Sequence, residues 1–247
     1  MPTFDSAGVQ INYEERGSGD PLVLVHGFAA NARANWAETG WYGLAPHFRI
    51  IAMDCRGHGH SGKPHEVSAY AGTTMEDDVL RLIDHLGIKR TLLHGYSMGA
   101  RISLGLLARH PKRFRAVVLG GIGATGAMDD PERRKAIAAS LTGSGGDERG
   151  KEFRRFAESV GNDLEALAAC MSANRSPVDP GVFANNAVPA LVIVGTKDDL
   201  AMAGAGSLHK QIANSKYVEI EGRHHLNAPG DKRYQAAVLE FLKAAPA

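Results

Sequence analysis

Short apolar runs alternate with amphipathic stretches along most of the chain. Continuous apolar runs are typical of strands buried on both faces of a parallel sheet. Between them, residues 74–86, 104–108 and 234–242 place their apolar side chains on one helical stripe. Strands that alternate with helices in this way predict an α/β fold, with a mostly parallel sheet covered by helices on both faces. The predicted buried strands are residues 22–25, 49–53, 91–93, 116–119, 190–194 and 217–220.

Two segments depart from this rhythm. Residues 9–15 alternate apolar and polar side chains, and residues 16–20 then turn the chain into Pro21, which predicts an antiparallel hairpin at the sheet edge. Residues 123–187 are rich in charge and helical in pattern, without a buried strand. We therefore expect a core domain of residues 1–122 and 188–247, interrupted by a helical cap at 123–187. Within the cap, the expected helices are residues 129–141 and 149–171.

Composition narrows the range of partners. The 247 residues are 44% hydrophobic and 22% charged, and 28 basic side chains balance 27 acidic ones to a net charge of +1. This balance argues against nucleic acid as a partner. Two cysteines are too few for a disulfide framework, and no apolar run is long enough for a membrane span. The expectation is a cytoplasmic protein without a membrane partner; the oligomeric state is not indicated.

The strongest chemical signal is the sequence GYSMG at residues 95–99. It follows a predicted buried strand and opens a predicted helix, which is the setting of a G-x-S-x-G nucleophile elbow. Glycines on both sides of Ser97 permit the tight turn that exposes its hydroxyl. The N–H of Met98, at the start of the helix, is free to donate to an oxyanion. His26-Gly27-Phe28 ends an earlier strand and places the N–H of Phe28 as a second donor.

A carboxylate and an imidazole are expected at the same sheet edge. Asp198 follows the strand at 190–194, and His225 follows the strand at 217–220. The carboxyl ends of parallel strands form the edge at which open α/β sheets bind ligands. Asp199 is an alternative to Asp198, although it could instead cap the following helix. His224 is likewise an alternative to His225.

These motifs together resemble the α/β-hydrolase superfamily, in particular its cap-bearing group of carboxylesterases, enol-lactone hydrolases and carbon–carbon bond hydrolases. The resemblance covers essentially the whole chain. The chain departs from the family pattern in having His224 where a glycine commonly precedes the histidine, and in lacking an acidic residue shortly after His225. The matching motifs are His26-Gly27, Asp54-x-x-Gly57-x-Gly59-x-Ser61, Gly95-x-Ser97-x-Gly99, Gly195-x-x-Asp198 and Gly222-x-x-His225.

The resemblance implies a serine hydrolase that cleaves a small or medium ester or lactone without a cofactor or a metal. Ser97 would be the nucleophile, His225 the base and Asp198 its partner. Carbon–carbon bond hydrolysis or peracid formation on the same residues is an alternative, as is a non-catalytic receptor that retains the fold. Haloalkane dehalogenases and epoxide hydrolases of this fold carry aspartate at the elbow, so Ser97 excludes both.

Other side chains have expected places around this centre. Phe28, Tyr96 and Met98 flank Ser97 and are predicted to contact the substrate. The predicted cap offers Phe153, Phe156 and Met171, for which core packing is an equal alternative. His94 precedes the elbow and is expected to be a buried structural histidine, and Asp54 to organise its loop by hydrogen bonds. The loop histidines His58, His60 and His65 lack the spacing of a metal site.

Overall fold

The computed structural model describes residues 1–124 and 130–246. The strands in these residues are β1 (Thr3–Ser6), β2 (Val9–Arg16), β3 (Pro21–Val25), β4 (Arg49–Met53), β5 (Thr91–Tyr96), β6 (Phe114–Gly120), β7 (Ala190–Gly195) and β8 (Ser215–Ile220). They form one sheet in the order β1-β2-β4-β3-β5-β6-β7-β8. All neighbouring pairs from β4–β3 onward are parallel, while β1–β2 and β2–β4 are antiparallel. The predicted α/β class with a mostly parallel sheet is confirmed.

Helices cover both faces of the sheet. The α-helices are α1 (Thr74–His85), α2 (Met98–Arg109), α3 (Pro131–Thr142), α4 (Glu148–Ser159), α5 (Leu164–Ser172), α6 (Met202–Gln211) and α7 (Lys232–Lys243). An apolar core lies on each face of the sheet, and side chains of β3 alternate between them. Val23 and Val25 pack with α1 and α2, and Leu22 and Leu24 pack on the side of α7. Among the described residues, no helix is long and apolar enough to cross a bilayer.

The N-terminal hairpin differs from the predicted one. β2 pairs with β1 through a turn at Ala7 and Gly8, both of which have positive φ (+53° and +84°), as a type I′ hairpin turn requires. On its other side β2 pairs with β4 and not with β3. The predicted hairpin between residues 9–15 and Pro21 is therefore wrong. β3 is buried and pairs in parallel with β4 and β5. β4 therefore lies between β2 and β3 in the sheet, and these two strands cannot pair with each other.

The helices between β6 and β7 differ from the expected cap in detail. The predicted helix at 129–141 is observed as α3 from Pro131, and residue 129 lies outside the described residues. The predicted single helix at 149–171 is two helices, because Gly161 takes a positive φ of +71° and Asp163 caps α5 by accepting from the N–H of Ala166. Buried side chains of α3 and α5 belong to the same apolar cluster as one face of the sheet.

A buried ion pair fastens the loop after β4 to α1. The Arg56 guanidinium donates to both carboxylate oxygens of Asp78 at 2.6 Å, and the two side chains are 4% and 1% exposed. Arg56 also donates to the carbonyl of Ala69, and the Ser6 hydroxyl donates to Asp78. Both charged groups are buried and take their hydrogen bonds from the protein. Removal of one charge therefore leaves the other buried without a counter-ion.

We predict that Asp78→Ala lowers the free energy of unfolding by about 3–5 kcal/mol, because it leaves the Arg56 charge buried and unpaired. The matched control is Asp84→Ala, which breaks the pair of Asp84 with Arg113, whose side chains are 62% and 27% exposed. Such an exposed pair contributes about 1 kcal/mol or less. Urea unfolding followed by circular dichroism measures both, and equal losses in the two variants would contradict the argument.

Candidate active site

Ser97 lies in a strained turn between β5 and α2. Its φ is +53° and its ψ −110°, a conformation that side chains other than glycine rarely adopt. The neighbouring glycines are required by close contacts. A Cβ on Gly95 would lie 2.2 Å from the carbonyl oxygen of Gly99, and a Cβ on Gly99 would lie 2.0 Å from that of Val25. The turn therefore packs directly onto the end of β3, and its geometry depends on both glycines.

A chain of hydrogen bonds joins Ser97, His225 and Asp198. The Ser97 Oγ lies 2.9 Å from the His225 Nε2, and the His225 Nδ1 lies 2.8 Å from the Asp198 Oδ2. Asp198 is fully buried and His225 is 8% exposed. A carboxylate accepts hydrogen bonds, so it favours the proton on Nδ1 and leaves the Nε2 lone pair facing the serine hydroxyl. These three residues come from the three loops that the sequence predicted to converge.

The structure distinguishes both pairs of neighbouring candidates. His224 is exposed, and its backbone N–H donates to Asn227, so only His225 reaches Ser97. Asp198 uses its second oxygen to accept from the N–H groups of Leu200 and Ala201 at 3.1 Å. The suggested capping role of Asp199 is not observed, because α6 begins at Met202 with Ala201 at its N-cap and no side-chain cap. Asp199 instead forms an ion pair with Arg149 of α4, and this interaction lowers the pKa of the Asp199 carboxyl.

The loop at residues 26–28 packs against Ser97. A Cβ on Gly27 would lie 3.4 Å from the Cβ of Ser97, and the N–H of Gly27 donates to the Asn35 side chain at 2.9 Å. Phe28 is the next residue of this loop after Gly27. On the other side of Ser97, Met98 is the first residue of α2, so its N–H has no acceptor within the helix. Phe28 and Met98 thus belong to the two segments that flank the serine.

His26 connects this loop to the loop after β4. Its Nε2 accepts from the N–H of Cys55 at 2.9 Å, which places the ring proton on Nδ1, where it donates to the carbonyl of Gly27 at 2.7 Å. Burial lowers the pKa of His26, which favours this neutral form. Asp54 organises the same region, because its carboxylate accepts from the N–H groups of Ala32 and His60.

Asn162, in the turn between α4 and α5, is a residue that the sequence analysis missed. Its amide nitrogen donates to the carbonyls of Ala29 and Ala30 at 2.8 and 3.0 Å, and its amide oxygen accepts from the N–H of Gly59 at 2.7 Å. Ala29 directly follows Phe28 and has a φ of +61°. The only sequence signal is an asparagine next to Gly161, which is typical of any turn. The side chain bridges two loops beside Ser97 from the helices between β6 and β7.

A cavity of about 540 Å³ adjoins Ser97 and His225, a volume within the range of small-molecule sites. Phe28 and Met98, two of the residues predicted to contact the substrate, line this cavity. From the expected cap, Phe153 and Met171 line it too, and Phe153 packs edge-to-face on Phe28 with ring centres 5.6 Å apart. Phe156 is absent from the lining and packs against the apolar core.

Tyr96 is placed differently from the prediction. It is buried, does not line the cavity, and its hydroxyl donates to the carbonyl of His225 at 2.6 Å. Side chains alternate along β5, so Tyr96 points to the opposite face of the sheet from its neighbour Ser97 at the strand end. Tyr96 therefore supports the loop that carries His225 and does not contact a ligand in the cavity.

The remaining histidines lie in separate surroundings. His94 is buried, its Nε2 lies 3.0 Å from the Tyr234 hydroxyl, and burial lowers its pKa to about 3. His58 bonds the carbonyl of Arg56, and His65 pairs with the carboxylates of Asp163 and Glu165. Among residues 1–124 and 130–246, no group of three or more His, Cys, Asp or Glu side chains is arranged to hold a metal ion.

Comparisons with known proteins identify the family of this fold. Residues 20–142 match a family model described as the alpha/beta hydrolase fold. The chain is 30% identical to a 2-(acetamidomethylene)succinate hydrolase from Mesorhizobium japonicum over 97% of its own length and 94% of that protein. It is 36% identical to a 2-hydroxymuconate semialdehyde hydrolase from a Pseudomonas species, over 47% of this chain and 41% of that one.

A solved structure extends the similarity over the whole fold. The enol-lactonase from Burkholderia xenovorans superposes with a TM-score of 0.81 and 27% identity, covering 98% of this chain and all of that one. Strand order, elbow and cavity thus occur together with sequence similarity over nearly the full length. This chain belongs to the α/β-hydrolase family.

Proposed function

We propose that the protein is a serine hydrolase that cleaves a carboxylic ester or lactone through an acyl-enzyme intermediate. The observation that carries the proposal is the chain of hydrogen bonds from Ser97 through His225 to Asp198. His225 takes the Ser97 proton as the Oγ attacks the acyl carbon, and returns it to the leaving alkoxide as the C–O bond breaks. Water then attacks the acyl-enzyme, His225 accepts the proton of that water, and the proton passes back to Ser97.

The N–H groups of Phe28 and Met98 stabilise the tetrahedral oxyanion in this proposal. Each such donor contributes about 3–4 kcal/mol to the transition state in serine hydrolases. The packing of Gly27 against Ser97 and the position of Met98 at the start of α2 support this assignment. Asp198, fully buried and also bonded to two N–H groups, orients the imidazole and stabilises its charged form.

The size of the cavity and the names of similar proteins support an ester or lactone as the substrate. A cavity of about 540 Å³ suits a small or medium acyl group. The names of the similar proteins, an enol-lactonase and a 2-(acetamidomethylene)succinate hydrolase, support small carbonyl substrates. Ser97 at the elbow, in place of a carboxylate nucleophile, favours an acyl intermediate.

The direct test is labelling with a fluorophosphonate, which reacts with activated serines, followed by mass mapping and assays with 4-nitrophenyl esters of increasing chain length. We expect one adduct, on Ser97, and hydrolysis of short esters. Ser97→Ala should abolish the adduct and lower kcat by about 10⁴-fold or more. A folded protein that neither labels at Ser97 nor hydrolyses any ester or lactone would overturn the proposal.

The two adjacent histidines provide a second prediction. His225→Ala removes the base that contacts Ser97 and should lower kcat by about 10³-fold or more. His224→Ala changes an exposed side chain one residue away, and should leave kcat within about twofold. Steady-state kinetics on one 4-nitrophenyl ester compares them, with circular dichroism to check folding. Equal losses in both variants would contradict the assignment of His225.

Asn162 is a positioning residue in this proposal. Asn162→Ala frees the carbonyls of Ala29 and Ala30, so the Phe28 N–H shifts, and a misplacement of about 1 Å costs on the order of 10- to 100-fold in rate. We expect the loss in kcat, with KM little changed.

The matched control is Asn186→Ala, since Asn186 also donates to two backbone carbonyls, those of Val188 and Ala213, away from the cavity. It should lower the melting temperature without a comparable loss in kcat. If both variants lose stability and activity in parallel, Asn162 has only a structural role.

A further inference from the structure

Three arginines line the cavity, Arg101, Arg134 and Arg175. Arg175 and Arg134 line the same cavity as Ser97 and His225. Arg175 lies in the segment after α5, and this segment is fixed to the rest of the fold by backbone hydrogen bonds. The N–H of Gly72 donates to the carbonyl of Asn174 at 2.9 Å, and the N–H of Ser176 donates to the carbonyl of Gly72 at 3.1 Å. The backbone on both sides of Arg175 is therefore held against the loop before α1.

Arg175 has no strong partner in the described residues. Its guanidinium has a weak contact with the Cys170 sulfur, at 3.6 Å. Of the carboxylates within 1–124 and 130–246, none lies within 4.0 Å of either Arg175 or Arg134. A partly buried guanidinium with five donors and one weak sulfur contact retains most of its capacity to bind an anion.

Arg134 of α3 stands beside the same segment. It donates to the carbonyl of Ala173 at 2.9 Å and to the side chain of Asn174 at 3.3 Å. Its Nε is buried and has no partner among the described residues. A second positive charge therefore adjoins the residues that immediately precede Arg175, and it raises the electrostatic potential at this end of the cavity.

The glutamate in the cavity wall does not neutralise this charge. Both oxygens of Glu76 accept from Arg109, at 3.0 and 2.9 Å. Glu76 therefore already has its counter-ion in Arg109. The apolar side chains that complete the wall, such as Met75 and Ile102, offer no counter-charge. An anionic ligand would relieve the cost of the unpaired cations.

Building on the proposed function, we propose that the acyl group of the substrate ends in a carboxylate, and that Arg175 binds this carboxylate with Arg134 beside it. The planar guanidinium can bind both carboxylate oxygens, which fixes the acyl chain at its far end while the ester carbonyl lies at Ser97. The substrate class is then the half-ester or lactone of a dicarboxylic acid. A neutral acyl chain of the same length fills the cavity without this contact.

The test compares two esters that differ only at the remote end: mono-4-nitrophenyl adipate and methyl 4-nitrophenyl adipate. We expect kcat/KM of the wild-type protein to be at least about tenfold higher for the free carboxylate, as expected for a charge-assisted hydrogen bond. Arg175→Gln should lower the ratio of the two values by about 10- to 100-fold, and Arg175→Lys by less, because it keeps the charge but not the bidentate geometry.

The control is Arg155→Gln, since Arg155 is an exposed arginine of α4 that pairs with Glu148, and this variant should keep the wild-type ratio. A wild-type protein without preference for the carboxylate, or an Arg175→Gln protein with the wild-type ratio, would overturn the inference. Hydrolysis of both esters without preference would leave the serine hydrolase proposal intact. Failure to hydrolyse either, without labelling of Ser97, would instead remove the proposed function.

A second measurement needs no variant. Adipate and its neutral diamide, adipamide, are compared as inhibitors of 4-nitrophenyl butyrate hydrolysis at constant ionic strength. We expect adipate to compete with the ester and to inhibit at least about tenfold more strongly than adipamide. Equal inhibition by the two compounds would contradict a carboxylate site in this cavity.

Discussion

The close packing of the turn at Ser97 onto the end of β3 is the constraint on which the candidate site depends. Ser97 holds a positive φ of +53°, which costs on the order of 1–3 kcal/mol and persists only where the surroundings fix it. Gly99 allows the turn to contact the carbonyl of Val25, and Gly27 in the 26–28 loop lies against the serine. The same contact that strains the serine therefore brings the 26–28 loop to it. β3 and β5 pair in parallel, so the 26–28 loop and the turn at Ser97 leave the sheet at the same edge.

The helices between β6 and β7 are joined to this centre by specific polar contacts. Asn162 binds the backbone beside Phe28, and Arg149 pairs with Asp199, the neighbour of Asp198. These contacts attach the helical layer at two loops that flank Ser97. The shape of the cavity and the position of the flanking loops are consequently linked, so a change in α4 or α5 affects both binding and the geometry at the serine.

The sequence predicted features with a local cause, and failed where the cause is distant. The GYSMG turn, the buried strands and the order of Ser97, Asp198 and His225 follow from short patterns, and the structure brings these three side chains together. Tyr96 was misplaced because proximity to Ser97 in the chain says little about the face to which a strand residue points. The partners of Asn162 lie more than 100 residues away, and the pairing of β2 with β4 depends on the topology of the whole sheet. No local pattern contains such information.

In the proposed mechanism, Ser97 becomes acylated during turnover. The most direct measurement is acid quenching of the wild-type protein within milliseconds to seconds of mixing with 4-nitrophenyl acetate, followed by digestion and mass analysis. We expect an acetyl group on the peptide that contains Ser97, rising to its steady level before the slower release of acetate. An acetyl group on a different residue during turnover, with the Ser97 peptide unmodified at every time, would contradict it.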